Sequence, residues 1–518
     1  MTATQERPTA PAPERRSGEL NLREFVRWAW RQLTSMRIAL ILLLMLALAA
    51  VPGSLVPQER VDSLRAGQWK DAHETLTPIY EKLGLFNVYG SPWFAAIYIL
   101  LVVSLIGCIL PRSFVYLRGL RAQPPAAPRN LTRLPAHASY STLEEPDVVL
   151  ERARALLKSK RYRLRRDAEA GTVSAERGYL RELGNLIFHL AVLVVLVGFA
   201  AGTLFGFKGG VILVQGQPFS NNLTQYDDFV PGNLFDPDGM DPFSFTVDKF
   251  DVEWLPSGMA RGFSADVDYT EEPGGPDQQY DLRVNHPLAI GGTELFLIGH
   301  GYAPVVTVRD GEGNIARSGP VPFLPSRPDL FSFGVIKAAD AQPQQIGLEG
   351  VFFPTFANVN GDLVNLGGKA ANPLLSLNVY TGDLGLDSGA GQSVYVLDKA
   401  NLTPLPGKAG QPLRIDLVPG QTVQLPNGLG SVTFDKVVSW QRIQISSTPG
   451  KDVALLGVVL ALLGLMGSLF IRSRRVWIRV RRDGQGTLVE IAALDRSGGA
   501  DTDAVLSKLL NRLQEGRP

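Results

Sequence analysis

Four apolar runs constrain this chain more than any other feature: Ile38–Val56, Trp93–Leu110, Leu186–Phe205 and Val453–Ile471. A hydrocarbon core of about 30 Å takes roughly 20 residues of helix, and the last three runs meet that length with few charges inside. The first run is shorter in its purely apolar stretch, and Pro52 and Gly53 mark its end. A cleaved signal peptide is its alternative reading, since Ala47 and Ala49 imitate the small-residue cleavage pattern. The long segment before it and the second span after it favour a retained helix. Hydrophobic residues make up only 45% of the 518, so much of the chain must lie outside the bilayer.

Charge sets the orientation. Lys and Arg cluster before the first run (Arg15, Arg16, Arg23, Arg27, Arg31 and Arg37), between the second and third (Lys158, Lys160, Arg161, Arg163, Arg165 and Arg166), and after the fourth (Arg472, Arg474, Arg475, Arg479, Arg481 and Arg482). By the positive-inside rule these three regions are predicted to be cytoplasmic. The loop from Ser54 to Ser91 and the acidic segment from Gly206 to Gly450 then fall outside. The four spans alternate consistently, with both termini in the cytoplasm.

The chain divides accordingly. Residues 1–35 read as a cytoplasmic segment, disordered over the first 20 or so and then a basic amphipathic helix over 23–37, with Trp28 and Trp30 at the membrane interface. Residues 36–110 hold two spans and a short external loop. Residues 111–182 form a small cytoplasmic α+β unit: a strand at Ala136–Leu143, a helix at Pro146–Lys158, and a hairpin of Tyr162–Arg166 with Thr172–Glu176 around Gly171. The third span occupies 183–205 and the fourth 452–472. In the tail, 473–518, Val476–Arg481 and Thr487–Ala492 pair around Asp483-Gly484, and Asp503–Leu513 is an amphipathic helix. The two basic units are candidates to pack together.

Between them, 206–451 reads as an extracytoplasmic all-β domain. Short alternating stretches recur at Phe243–Phe250, Ala265–Tyr269, Leu295–Ile298, Val305–Val308, Leu375–Tyr380, Ser393–Leu397 and Val432–Val437. Turn signals separate them, among them Asn285-His286-Pro287, Gly291-Gly292 and Asn427-Gly428. A sandwich or stacked sheets is the expected form.

Chemistry-bearing residues are sparse. The GxSxG, P-loop, HExxH and GxGxxG patterns are missing in any convincing context, which argues against a self-contained hydrolase or oxidoreductase. The one cysteine, Cys108, lies in an apolar run and reads as a small buried hydrophobe. It cannot form an internal disulfide or a CxxC pair, so thiol chemistry would have to come from a partner. His73, His137, His286 and His300 are scattered. His286 precedes a proline in a turn, and either it or His300 is a possible ligand on the outer side.

His189 stands apart, because it lies inside the third span. An ionisable residue there is a functional hypothesis by default, and imidazole is a common axial ligand of haem iron. It lies seven residues beyond Glu182, about 10 Å into the helix at 1.5 Å per residue, toward the cytoplasmic half. Leu186, Leu190, Leu193 and Val197 surround it, and Gly184 and Gly198 permit close helix approach. A structural histidine hydrogen-bonded to a neighbouring helix explains the residue equally well.

Several segments in order resemble the ResB proteins of cytochrome c biogenesis (System II). VPGSLVPQ (51–58) closes the first span and KLGLFNVYGSPWF (82–94) opens the second. AERGYLRELGNLIFH (175–189) leads into the third and contains the histidine. NHPL (285–288) and GYAP (301–304) lie in the outer domain, and TPGKD (448–452) and RRVWIRV (474–480) flank the fourth span. The resemblance implies a plasma-membrane subunit that helps attach haem to apocytochrome c outside the cytoplasm. Its partner would be a ResC/CcsA-type protein carrying a tryptophan-rich haem motif, which this chain lacks. A thioredoxin-like reductant would keep the apocytochrome cysteines reduced.

The resemblance also implies that His189 is a haem-iron ligand, with haem transported or transiently bound. It assigns no catalytic residue, which leaves a non-catalytic or co-catalytic subunit. The remaining readings are an assembly scaffold whose partner holds all the haem, a membrane sensor, for which an effector motif is missing, and a transporter, for which broken-helix pairs are missing.

Overall fold

The computed structural model describes residues 21–59, 63–256, 260–386, 395–407, 411–495 and 502–515. The expected disorder of the first 20 residues falls outside that set. The chain separates into two compact units, one of residues 1–199 with 451–518 and one of residues 200–450.

The first unit begins with helix α1 (Leu22–Leu33), started by a capping box in which Asn21 and Glu24 satisfy each other's backbone N–H groups. The expected helix over 23–37 breaks here. Thr34 turns its hydroxyl back to the carbonyl of Trp30 at 2.8 Å, and Ser35 caps a new helix, α2 (Met36–Leu55). Both devices are local side-chain bonds that compete with helix continuation. Trp28 and Trp30 are exposed, as an anchoring role requires. Helix α2 runs through Pro52 and Gly53 to Leu55. Pro52 lacks the N–H that would donate to the carbonyl of Leu48, so the last turn forfeits one helical bond, and Gly53 leaves room for the Tyr89 ring, which would lie 2.9 Å from a Cβ there.

The loop after α2 is folded. It holds α3 (Ser63–Ala72), α4 (Thr77–Leu83) and a 3-10 turn at Leu85–Gly90. Helix α5 (Pro92–Arg121) outruns the expected Trp93–Leu110 by eleven residues and carries Pro111 inside it. Helices α7 (Leu180–Phe205) and α8 (Lys451–Phe470) follow α6 (Pro146–Ser159) in the chain, and α9 (Thr502–Gln514) comes last. Helices α2, α5, α7 and α8 are long and apolar enough to cross a membrane.

A five-stranded antiparallel sheet completes this unit. Its order is 136–142, 486–495, 474–483, 172–177, 163–167. Two strands come from the chain after α8 and three from the chain before α7, so the two basic regions build one sheet together. The hairpins turn at Gly171 and Gly484, whose φ values of 56° and 62° suit glycine. Helices α6 and α9 cover the sheet through Val149, Leu156, Leu157, Leu506 and Leu509, packed on Val173, Ile478, Val480 and Ile491.

The second unit is all β, organised on two 17-residue strands, Thr293–Arg309 and Ser431–Ser447, paired along their length. Phe207–Val214 pairs on the outer edge of 431–447. One half of this spine is faced by a four-stranded sheet containing Ser244–Trp254 and Ala260–Thr270, with Phe219, Phe245, Val267, Leu295 and Ile445 between. The other half is faced by a six-stranded sheet containing Ile346–Phe353 and Leu374–Gly382, with Val306, Phe323, Phe352, Leu375 and Phe434 between. Stacked sheets were expected. The expected separate strands at 295–298 and 305–308 are in fact one strand, with irregularities at Leu297/Gly299 and Val305/Val306. The stretch expected at Ser393–Leu397 lies partly outside the described residues, and 395–397 form no strand.

Candidate functional site

Helix α7 has two working faces. One packs on α8 through glycine. A Cβ on Gly184 would lie 2.8 Å from the carbonyl of Gly464, and one on Gly464 would lie 2.5 Å from the backbone nitrogen of Phe188. Two turns on, Gly457 would meet the backbone nitrogen of Val195 at 2.8 Å. Backbones this close are the small-residue packing expected where lipid supplies no hydrophobic drive. Gly198, also expected to permit close approach, is buried.

The other face carries Glu182, Asn185 and His189, spaced so that all three share one side of the helix. It meets α5, whose residues Gly119, Tyr116 and Arg112 have the matching spacing and run the opposite way. A Cβ on Gly119 would lie 3.3 Å from Oε2 of Glu182. Tyr116, Arg181, Glu182 and Asn185 line a cleft of about 330 Å³ together with Ser468 and Ser473. Within it, Nε of Arg181 donates to the carbonyl of Ser468 at 3.2 Å. Two turns further, Arg112 is the charged group whose field reaches His189.

His189 is half-buried, and its ring lies beside that of Phe188, centroids 5.3 Å apart. Among the described residues its nitrogens have no hydrogen-bond partner. The interhelical hydrogen bond that would make it a structural histidine is therefore not formed.

The other histidines lie elsewhere. His73 stacks on Trp69 at 4.3 Å with Nδ1 2.9 Å from that residue's carbonyl, an ordinary aromatic cluster with Tyr80 and Phe86. His137 reaches the carbonyl of Leu134. His286 sits in the turn after Asn285, with its backbone N–H bonded to Arg283. His300 lies between the rings of Phe250 and Phe263, with centroids at 5.3 and 4.8 Å, and burial pushes its pKa down to about 4. Cys108 is half-buried and its thiol faces the carbonyl of Leu105. No group of three His, Cys, Asp or Glu that could hold a metal ion occurs among the described residues.

Arg112 and Tyr116 escape a reading by apolar runs, because both lie past Leu110, where the second run ends. Their helical spacing to Gly119 was the available signal.

Comparison with known proteins adds a family. The profile of the ResB-like family matches residues 36–506. The chain is 25% identical over 452 residues to the cytochrome c biogenesis protein CcsB of Synechococcus sp. (strain JA-2-3B'a(2-13)), covering 86% of this chain and 84% of that one. It is 25% identical over 455 residues to the CcsB of strain JA-3-3Ab, covering 86% and 82%. With the CcsB of strain CC9311 the identity is 27% over 269 residues, so the chain spans 58% of that relative's length and 51% of its own.

Proposed function

The chain belongs to the ResB-like family, and from that premise we propose that it acts in cytochrome c maturation as a haem-handling subunit of a membrane assembly. The observation that carries this reading is His189: an imidazole within a span, half-buried and without a hydrogen bond among the described residues. An ionisable group within a span and without a partner is expensive and asks for an explanation. Haem iron supplies one, because a neutral imidazole nitrogen is a standard axial ligand.

In this reading haem enters the bundle from the cytoplasmic half and is held by His189, with a second ligand from a ResC/CcsA-type partner. It then passes to the outer face, where its vinyl groups meet the apocytochrome thiols, kept reduced by a thioredoxin-like protein. The β unit positions the apocytochrome or covers the haem. The five-stranded sheet supports the orientation, because a bilayer cannot divide a hydrogen-bonded sheet. Residues 136–177 and 474–495 thus share one side, and their arginines favour the cytoplasm.

The test is to purify the chain with its ResC-type partner and compare wild type with His189→Ala. Loss of the bound-haem spectrum together with loss of cytochrome c maturation is expected. Unchanged haem content and maturation would remove the ligand role and leave an assembly scaffold.

A further inference from the structure

The approach of α5 to α7 brings a cation with spare donors to the same side of the bundle as His189. Glu182 reaches Gly119 with its carboxylate, 3.3 Å from where a Cβ would stand, and Tyr116 and Asn185 line one cleft, so the two antiparallel helices approach along these positions. Seven residues from the first contact along each helix, about 10 Å, lie Arg112 and His189. The guanidinium of Arg112 donates one hydrogen bond, to Sδ of Met36 at 2.8 Å. That thioether is a weak, neutral acceptor. Among the described residues Arg112 has no carboxylate partner, and its side chain is exposed at the helix surface.

An arginine near the end of a span ordinarily snorkels to lipid headgroups. Arg112 lies two residues past the apolar run that ends at Leu110, but other cations stand closer to the helix end. Helix α5 continues nine residues past it, and Arg118 and Arg121 occupy the end of the helix. Arg112 lies instead at the level of His189, about 10 Å short of the Glu182 level. Five fixed N–H donors with one spent on a thioether suit a planar, bidentate acceptor such as a carboxylate.

We infer that Arg112 receives a carboxylate of the macrocycle whose iron His189 ligates. This rests on the reading of His189 as an iron ligand, and it names the ligand class: a porphyrin bearing free carboxylates. Iron and acid would be held by two different helices, so the ligand would bridge the α5–α7 seam.

The test uses the full chain in nanodiscs of zwitterionic lipid, titrated with ferric protohaem and with its dimethyl ester. Wild type is expected to bind the free acid about tenfold more tightly than the ester, a charge-assisted bond's share. Arg112→Gln should lose that preference while leaving ester affinity unchanged, and Arg112→Lys should keep part of it. Equal affinity of wild type for acid and ester overturns the proposal without any variant. So does an Arg112→Gln defect that is the same for both ligands and appears only when phosphatidylglycerol is added, which marks a headgroup contact. His189→Ala reads the ligand role separately through the iron spectrum. An unchanged spectrum there overturns the ligand reading, while the acid-over-ester preference still reports on Arg112.

Discussion

Nε of Arg475 donates to Oε1 of Glu176 at 2.9 Å, joining residues 299 positions apart in the chain. The same carboxylate accepts from Arg163 through its other oxygen at 2.7 Å. Three strands of the five-stranded sheet are thereby tied through one buried side chain, 5% exposed.

Removing that carboxylate should unfasten the sheet. Burial alone would raise the pKa of Glu176, but the hydrogen bonds from Arg163 and Arg475 outweigh it and hold the acid below its usual range. A depressed carboxylate stabilises the fold above the unfolded pKa, and that stability is lost as pH falls through the folded value. Glu176→Ala should cost about 2–4 kcal/mol by leaving two arginines unpaired. Hydrogen exchange of the 172–177 and 474–483 amides measures it. Protection unchanged from wild type would show that the pair contributes nothing.

Gly184→Leu should disable haem handling without touching a ligand. The side chain has no room against Gly464, so α7 must move away from α8 and carry His189 with it. Displacement of a ligand by about 1 Å can cost on the order of a hundredfold. Cytochrome c maturation at wild-type protein levels is the readout. Normal maturation would mean that the α7–α8 contact does not position His189.

Acid should loosen the β unit through His300. Its folded pKa of about 4 reflects burial, against about 6.5 in an unfolded chain. Between these values the unfolded state binds the extra proton, so stability rises as pH increases from about 4 to 6.5 and levels off above. The limb amounts to at most about 3 kcal/mol. His300→Phe, matching its ring neighbours, should flatten it. Exchange protection of the 293–309 amides, corrected for intrinsic rates, reports the change. An acid limb that persists in His300→Phe belongs to another group.

Gln441 is fully buried, paired in register with His300 and Leu213, and both of its amide atoms lack a partner among the described residues. Replacing a buried amide that makes no bond should stabilise the fold. Gln441→Leu is expected to raise the unfolding free energy of the β unit by about 1–2 kcal/mol. Destabilisation of similar size would instead reveal that the amide has a bonding partner.

The spans were legible because twenty apolar residues have few other uses, and the paired hairpins because Gly171 and Asp483-Gly484 announce their turns. The 293–309 strand was not, because Gly299, Gly301 and Pro304 read as breakers. Gly301 is there for a tertiary reason: a Cβ would lie 2.4 Å from the Trp440 indole. His189 was visible as a lone ionisable residue in a span. Arg112 was invisible in that role, because its depth follows from how α5 meets α7, and no window along one segment encodes it.

The sheet built from both flanks of α7 and α8 also sets an order of assembly. When the ribosome has made the first three strands, the 172–177 strand has no neighbour on the side that 474–483 will take. It must wait through the third span, the whole β unit and the fourth span. An open strand edge over that interval is an aggregation hazard. The tail closes that edge, and a chain interrupted before residue 474 would leave it open.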